Sequence, residues 1–600
     1  MSPLSRSFSI ACLLLLAACA NEEQGQVATQ PNSRTDAVSV QPAGQNAIAE
    51  RPAVADKPAS GARPGPAYEA PAAAGITMGE GRLAAPAPAA KMKRERAGTG
   101  YVPQVSIPAA PAPYYSQMMP APDREQYGKI EENPVKQAAE SPVSTFSIDV
   151  DTGAYANVRR MLNAGRLPPA DAVRVEELIN YFPYAYALPK GNSPFAVHTE
   201  IAPAPWNKEH HLLRIGIKGQ DVAKTSLPPA NLVLLVDVSG SMDSPERLPL
   251  LKSALKLLIN QLRPQDRVSL VTYASGTQVV LEPTPGAQKA RIAAAVENLV
   301  PGGSTAGASG IALAYRMAEQ GYIRGGINRI LLATDGDFNV GVTNFDALKN
   351  MVEEKRKGGV SLSTLGFGVG NYNERLMEQL ADVGNGNYSY IDTLNEGQKV
   401  LVNEMTSTLA TIAKDVKIQI EFNPAVVSEY RLVGYENRML KREDFSNDKV
   451  DAGEVGAGHT VTAIYELTLK GHGGSVDPLR YGKETTSAAD KSGELAFLRL
   501  RYKAPDGEVS RLAEWPLHVS DVQSGFAQAS DEFRFAAAVA AFGQELRGGK
   551  HTKDLGYAEI ARIAAGARGE DPFGYRGEFV RLVHLAQSLS TGKPQPEIVE

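Results

Sequence analysis

Asp237, Ser239 and Ser241 carry oxygen at alternate positions directly behind an apolar run, in the stretch "LVLLVDVSGSM" that begins at Leu232. A turn would account for one such residue; three at this spacing point to a ligand. Two distant segments end in the same chemistry: Thr305 in "GGSTAG" and Asp335 in "LLATDGD". All five side chains offer oxygen, and none offers sulfur or imidazole. That set suits Mg²⁺, Mn²⁺ or Ca²⁺ and argues against zinc. Nothing beside these residues is placed to act as nucleophile or general base, so binding is expected here and enzymatic turnover is not.

The elements that must position these residues are legible around them. From Ala230 the pattern alternates strand and helix, with strands expected at 232–238, 267–274, 277–282, 328–334, 360–367 and 387–392. Between them lie amphipathic stretches such as "RLPLLKSALKLLINQL", where Leu248, Leu251, Leu255 and Leu258 share one face. Uninterrupted apolar strands fit a mostly parallel sheet covered by helices on both faces. In such open sheets, ligands bind at the carboxyl ends of the strands. "DVSGS" follows the first strand, "GGSTAG" opens a helix and "LLATDGD" ends the fourth strand. All three should meet at one edge.

Together these segments resemble the metal-ion-dependent adhesion site (MIDAS) of the von Willebrand factor type A (VWA) family: an Asp-x-Ser-x-Ser loop, a distant Thr and a distant Asp. All five positions are filled. The resemblance implies that Ser239, Ser241 and, in one state, Thr305 bind the cation directly, while Asp237 and Asp335 act largely through water. It also implies that a partner protein completes the shell with an exposed Asp or Glu. Further stretches, "SIDVDTGAYANVRRML" and "TLGFGVGNYNERLMEQLADVGNGNYSYI", are similar to bacterial lipoproteins with a central type A domain, a group often labelled calcium-activated chloride channel-like. The likeness covers about residues 140–590. The implied fold is an α/β, Rossmann-like type A domain at 229–412, inserted in a β-rich flanking unit, with a C-terminal helical segment.

The rest of the chain supplies context. At 600 residues it is too long for one core, and its net charge of −5 gives no reason to expect nucleic acid as a partner. Arg6 and the apolar run Phe8–Ala18 read as a signal peptide (residues 1–18). The run ends in Leu16-Ala17-Ala18-Cys19, which resembles a lipobox, making Cys19 the lipidated residue and the lipid the only contact with the membrane. Ala20 in place of Asp points, by the sorting rule for such lipoproteins, to the outer membrane, facing the periplasm or the exterior. Cys12 and Cys19 are the only cysteines, so cleavage before Cys19 leaves no disulfide. Residues 19–140 are rich in Ala and Pro and lack periodicity, which predicts a disordered tether spanning roughly 60 Å.

Around the central domain, an α+β region is expected at 141–228, with Asp171 capping a helix that carries Val175, Leu178 and Ile179. A β-rich region should fill 413–525 and a helical region 526–600, where Phe535, Val539, Phe542 and Leu546 share a face. The strands of 143–228 and 413–525 should pair, since each set alone is too short to bury a sheet. Segment 471–492 is polar and expected as a loop. Trp206 and Trp515 should fill a core.

Several motifs are decoys. Asp335-Gly-Asp337-Phe-Asn339-Val-Gly341 with Asp346 nearly spells a calcium loop, but its glycine falls one place late and a strand precedes it. "GFGVGNYN" imitates a dinucleotide fingerprint yet has Asn373 in place of the third glycine, so a turn lining the sheet edge is expected. Asp149 and Asp151 in "DVDTG" read as a strand-ending turn more readily than as a second ion site. Lys91–Arg96 reads as a solvated part of the tether. No His-Glu-x-x-His or Gly-x-Ser-x-Gly is present. The function expected is a lipid-anchored envelope protein that binds a partner through a divalent cation. The alternatives are a regulatory or assembly subunit of an envelope transport machine and a metal-dependent hydrolase.

Overall fold

The computed structural model describes residues 124–591, apart from 149–150, 192, 306, 337–344, 477–492 and 553–554. The signal segment, Cys19, Lys91–Arg96, Asp149 and most of the near-calcium loop lie outside the described residues.

The central sheet has six strands in the order Tyr388–Tyr390, Ser361–Gly366, Ile327–Thr334, Ala230–Asp237, Arg267–Tyr273, Thr277–Pro285. All neighbours are parallel except the last pair, which is an antiparallel hairpin. Successive side chains of a strand point to opposite faces. Accordingly Leu232, Leu234 and Val236 pack with Leu251, Leu255 and Leu258 of helix Leu248–Gln261, while Val233 and Leu235 pack with Ile311 and Tyr315 of helix Gly307–Gln320. Burial on both faces is the physical reason the strand Ala230–Asp237 has no polar alternation.

Strands from before and after this domain do pair. In one sheet the order is Lys136–Gln137, Val427–Val433, Thr460–Leu469, His210–Gly219, Phe195–Pro203. In the other, Val143–Ser147 and Glu494–Lys503 both pair with Thr411–Phe422, and Ser510–His518 follows as an edge. Phe146, Ile215, Ile217, Ile418, Ile420, Tyr465 and Leu498 form the core shared by the two sheets. The α/β domain is thus inserted in a β-rich unit whose two halves depend on each other. Helices Asp531–Leu546, Gly556–Gly566 and Tyr575–Thr591 share a further core with Gly153–Asn163 and Val175–Asn180. Phe535, Val539 and Phe542 are buried there and Leu546 is partly buried.

Two local expectations need correction. Residues 124–140, read as tether, include strand Lys136–Gln137, which pairs with Val427–Val433, and Gln126, which bridges Asn373. The segment has no period of its own because its hydrogen bonds go to chain far away in sequence. Asp171 caps no helix: Arg174 precedes Val175–Asn180 without a side-chain cap, and the Asp171 carboxylate accepts the Ile130 amide at 3.0 Å. Trp206 lies in the helical core and donates to Glu466 at 2.9 Å, whereas Trp515 is half-buried against the β-rich core. Among the described residues no helix is long and apolar enough to cross a membrane.

Candidate functional site

Asp237 is the last residue of its strand and is fully buried. Burial pushes its carboxyl up to about 6, against hydrogen bonds that favour the charge. One oxygen accepts the Ser239 amide at 2.8 Å, and the other accepts the Thr334 hydroxyl at 2.9 Å. The chain then turns through Gly240–Met242, a single 3-10 turn, which swings Ser239 and Ser241 to the same side. Their hydroxyl oxygens stand 3.0 Å apart.

Two backbone hydrogen bonds bring the third segment to the first. Gly240 N–H donates to the Gly303 carbonyl at 2.9 Å, and Gly302 N–H donates to the Val238 carbonyl at 2.8 Å. Thr305 follows two residues later, buried, just ahead of helix Gly307–Gln320. Asp335 follows strand Ile327–Thr334, next to Asp237's partner Thr334, and is fully buried. All five residues therefore sit on three segments at the carboxyl edge of one sheet, as their order along the chain suggested.

A fourth segment, unassigned by sequence, completes the edge. Asn371 donates its side-chain amide to Asp335 at 3.1 Å, and the Arg247 guanidinium stands 3.4 Å from the same carboxylate. Arg247 also donates to the Asn371 side chain at 2.9 Å and to the carbonyls of Ser241 and Val369. Arg247 thus ties the serine loop to the "GFGVGNYN" segment. That segment is a turn at the sheet edge, as expected, and Asn373 caps helix Glu374–Val383 through its side chain. Gly368 lies at φ +79°, and a Cβ there would fall 2.2 Å from Arg247 Nε, so the close approach requires glycine. Nothing in the sequence distinguishes Arg247 from an ordinary residue ahead of a helix; only its contacts reveal it.

An oxygen-only donor set of this kind can hold a hard cation. Two adjacent ligands about 2.1 Å from an octahedral ion are separated by about 3.0 Å, the spacing of the two serine hydroxyls. Among the described residues, Thr334, Asn371 and Arg247 contact the constellation, and burial pushes the hydroxyl of nearby Tyr273 far above its usual range. The other sequence candidates lie elsewhere: Asp151 accepts the Tyr388 amide at 2.8 Å and pairs with Arg438 at 3.3 Å, a structural role.

Comparison with known proteins matches this architecture segment by segment. The von Willebrand factor type A domain family matches residues 231–403, the family described as von Willebrand factor matches 121–214, and the family described as uncharacterized protein YfbK, C-terminal, matches 407–589. The chain is 52% identical over 477 residues to the uncharacterized protein YfbK of Escherichia coli (strain K12), covering 78% of this chain and 82% of that one. It is 32% identical over 164 residues to inter-alpha-trypsin inhibitor heavy chain H4 of Homo sapiens, covering 26% of this chain and 17% of that one. A solved structure, the von Willebrand factor type A protein from Catenulispora acidiphila, aligns over 67% of this chain and 92% of its own at 16% identity and a TM-score of 0.38. With identity sustained along most of both chains and a type A domain at its centre, the protein belongs to the YfbK family of bacterial von Willebrand factor type A proteins.

Proposed function

We propose that this is a non-enzymatic envelope protein, anchored at the outer membrane by a lipid on Cys19, that binds another protein through a divalent cation. Ser239, Ser241 and Thr305 would hold Mg²⁺ (or Mn²⁺ or Ca²⁺) directly, with Asp237 and Asp335 acting through water. When bound, the cation offers an electrophilic position to a carboxylate of the partner. The observation that carries this reading is the pair of serine hydroxyls 3.0 Å apart, set between two buried carboxylates at the edge of a parallel sheet.

The chain's own residues favour that outcome. Neutral hydroxyls do not cancel the charge of the ion, which stays attractive to an acidic ligand. Asp237 and Asp335 are already oriented by Ser239, Thr334, Asn371 and Arg247, so little rearrangement is needed on binding.

The test is a pull-down from envelope extract in Mg²⁺ and in EDTA, with wild type beside an Asp237→Ala, Ser239→Ala variant. A partner retained only by wild type in Mg²⁺ supports the reading and identifies the partner. Capture that ignores both metal and mutation overturns it. Captured transport proteins would make the molecule an assembly or regulatory subunit using the same site.

A further inference from the structure

We propose that the segment Arg124–Gln126 forms an outer wall of the oxygen site, and that Glu125 is the positioning residue that holds Asn371 against Asp335. This inference rests on the cation-docking reading above.

The geometry is a short ladder. Arg124 N–H donates to the Gly370 carbonyl at 2.8 Å, Gln126 N–H to the Tyr372 carbonyl at 2.9 Å, and Glu374 N–H to the Gln126 carbonyl at 3.1 Å. Between these rungs the Glu125 carboxylate turns inward, with its side chain 2% exposed. One oxygen accepts the Gly370 amide at 2.8 Å. The other accepts the Tyr127 hydroxyl at 2.6 Å and pairs with Arg160 at 2.8 Å. Arg160 comes from helix Gly153–Asn163, and its guanidinium lies 5.6 Å from the centre of the Tyr390 ring, in the last strand of the central sheet.

The loop this carboxylate holds has little structure of its own. Gly368 and Gly370 both have positive φ, +79° and +88°, and such a backbone adopts whatever shape its contacts impose. Arg247 grips the loop from the site side through Val369 and Asn371. Glu125 grips it from the opposite direction through Gly370. Asn371, between the two grips, donates to Asp335. The buried Glu125 carboxylate is therefore two hydrogen bonds and one peptide away from Asp335.

The experiment uses the full chain as wild type, Glu125→Ala and Glu125→Gln. Two quantities are read: Mg²⁺ and Mn²⁺ affinity by calorimetry and by Mn²⁺ spin resonance, and hydrogen exchange of the loop 366–374. Glu125→Ala is expected to weaken cation affinity about tenfold, the effect of losing one hydrogen bond to a charged group, and to speed loop exchange. Glu125→Gln keeps an acceptor for the Gly370 amide and should recover much of the affinity. If Glu125→Ala does not fold, slower loop exchange and tighter affinity in wild type than in Glu125→Gln are the expected result. Equal affinities and equal loop exchange in all folded variants overturn the proposal while leaving cation docking intact. A wild type that binds neither ion overturns the docking reading, and this one with it.

Discussion

At the scale of the residue, the carboxylates and hydroxyls that define the site are held by neighbours that sequence patterns do not flag. Gly336, immediately after Asp335, shows how tight the constraint is. Its φ is +87°, and a Cβ would lie 2.5 Å from the Asn373 amide nitrogen. Gly336→Ala should therefore cost at least about 1 kcal/mol of stability and displace Asp335 from Asn371. Calorimetric unfolding and Mn²⁺ affinity measured on the same sample would show both effects, and an unchanged melting temperature would contradict the argument. Arg247 is a second such residue. Arg247→Met removes every contact between the serine loop and the Gly368–Asn373 segment that its guanidinium makes. Cation affinity should then fall if Arg247 chiefly positions Asp335, and rise if its charge chiefly repels the ion. The proposal above requires a fall.

At the scale of the element, buried ion pairs join the inserted domain to its surroundings. Arg174, ahead of helix Val175–Asn180, pairs with Glu374 at 2.8 Å and Glu378 at 2.9 Å on helix Glu374–Val383. All three side chains are buried, so Arg174→Met would strand Glu374, leave Glu378 with only Asn437 and Arg438, and should lose about 3 kcal/mol. Adding Glu374→Gln and Glu378→Gln should return a large part of that loss in urea unfolding. Strand Thr460–Leu469 carries a second buried carboxylate, Glu466. Burial alone would raise its pKa, but hydrogen bonds from His210, Arg431 and Trp206 hold it down at about 2. A carboxyl depressed in the folded state stabilises above its unfolded pKa, and that stability is lost as pH falls from about 4.5 towards 2. Glu466→Gln should flatten the pH dependence of stability across that window, as read from melting temperatures at a series of pH values.

At the scale of the whole molecule, the chain leaves the inserted domain through one continuous stretch. Leu394–Gln398, the π-helical turn Lys399–Asn403 and Met405–Leu409 follow one another, and after Ala410 the chain enters strand Thr411–Phe422. Any shift of this last helix is passed directly to a strand paired with both Val143–Ser147 and Glu494–Lys503. By analogy with other type A proteins, Mg²⁺ together with an acidic ligand should move the helix on the order of 1–2 Å and tilt the domain against the β-rich unit. Spin-label distances between helix Gly307–Gln320 and strand Thr460–Leu469 would detect the tilt. Identical distance distributions with and without ion and ligand would rule it out.

The α/β alternation, the strand positions and the five oxygen-bearing residues were legible because they rest on local rules. Strands buried on both faces must be apolar throughout, and ligand residues must sit where strands end. The pairing of strands across the inserted domain could be inferred only in outline, since neither half could bury a sheet alone. Its register was decided in three dimensions, as with Ile464 opposite Arg214. The roles of Arg247, Asn371, Gly336 and Glu125 were decided by tertiary structure alone. Arg247, Asn371 and Glu125 act through hydrogen bonds to residues far along the chain, and Gly336 through its close approach to Asn373; such contacts leave no periodicity or spacing in a single sequence. The same reason explains why residues 124–140 read as tether yet belong to the body: the bonds that fix them run to partners elsewhere in the fold, such as Gly370 and Val427–Val433.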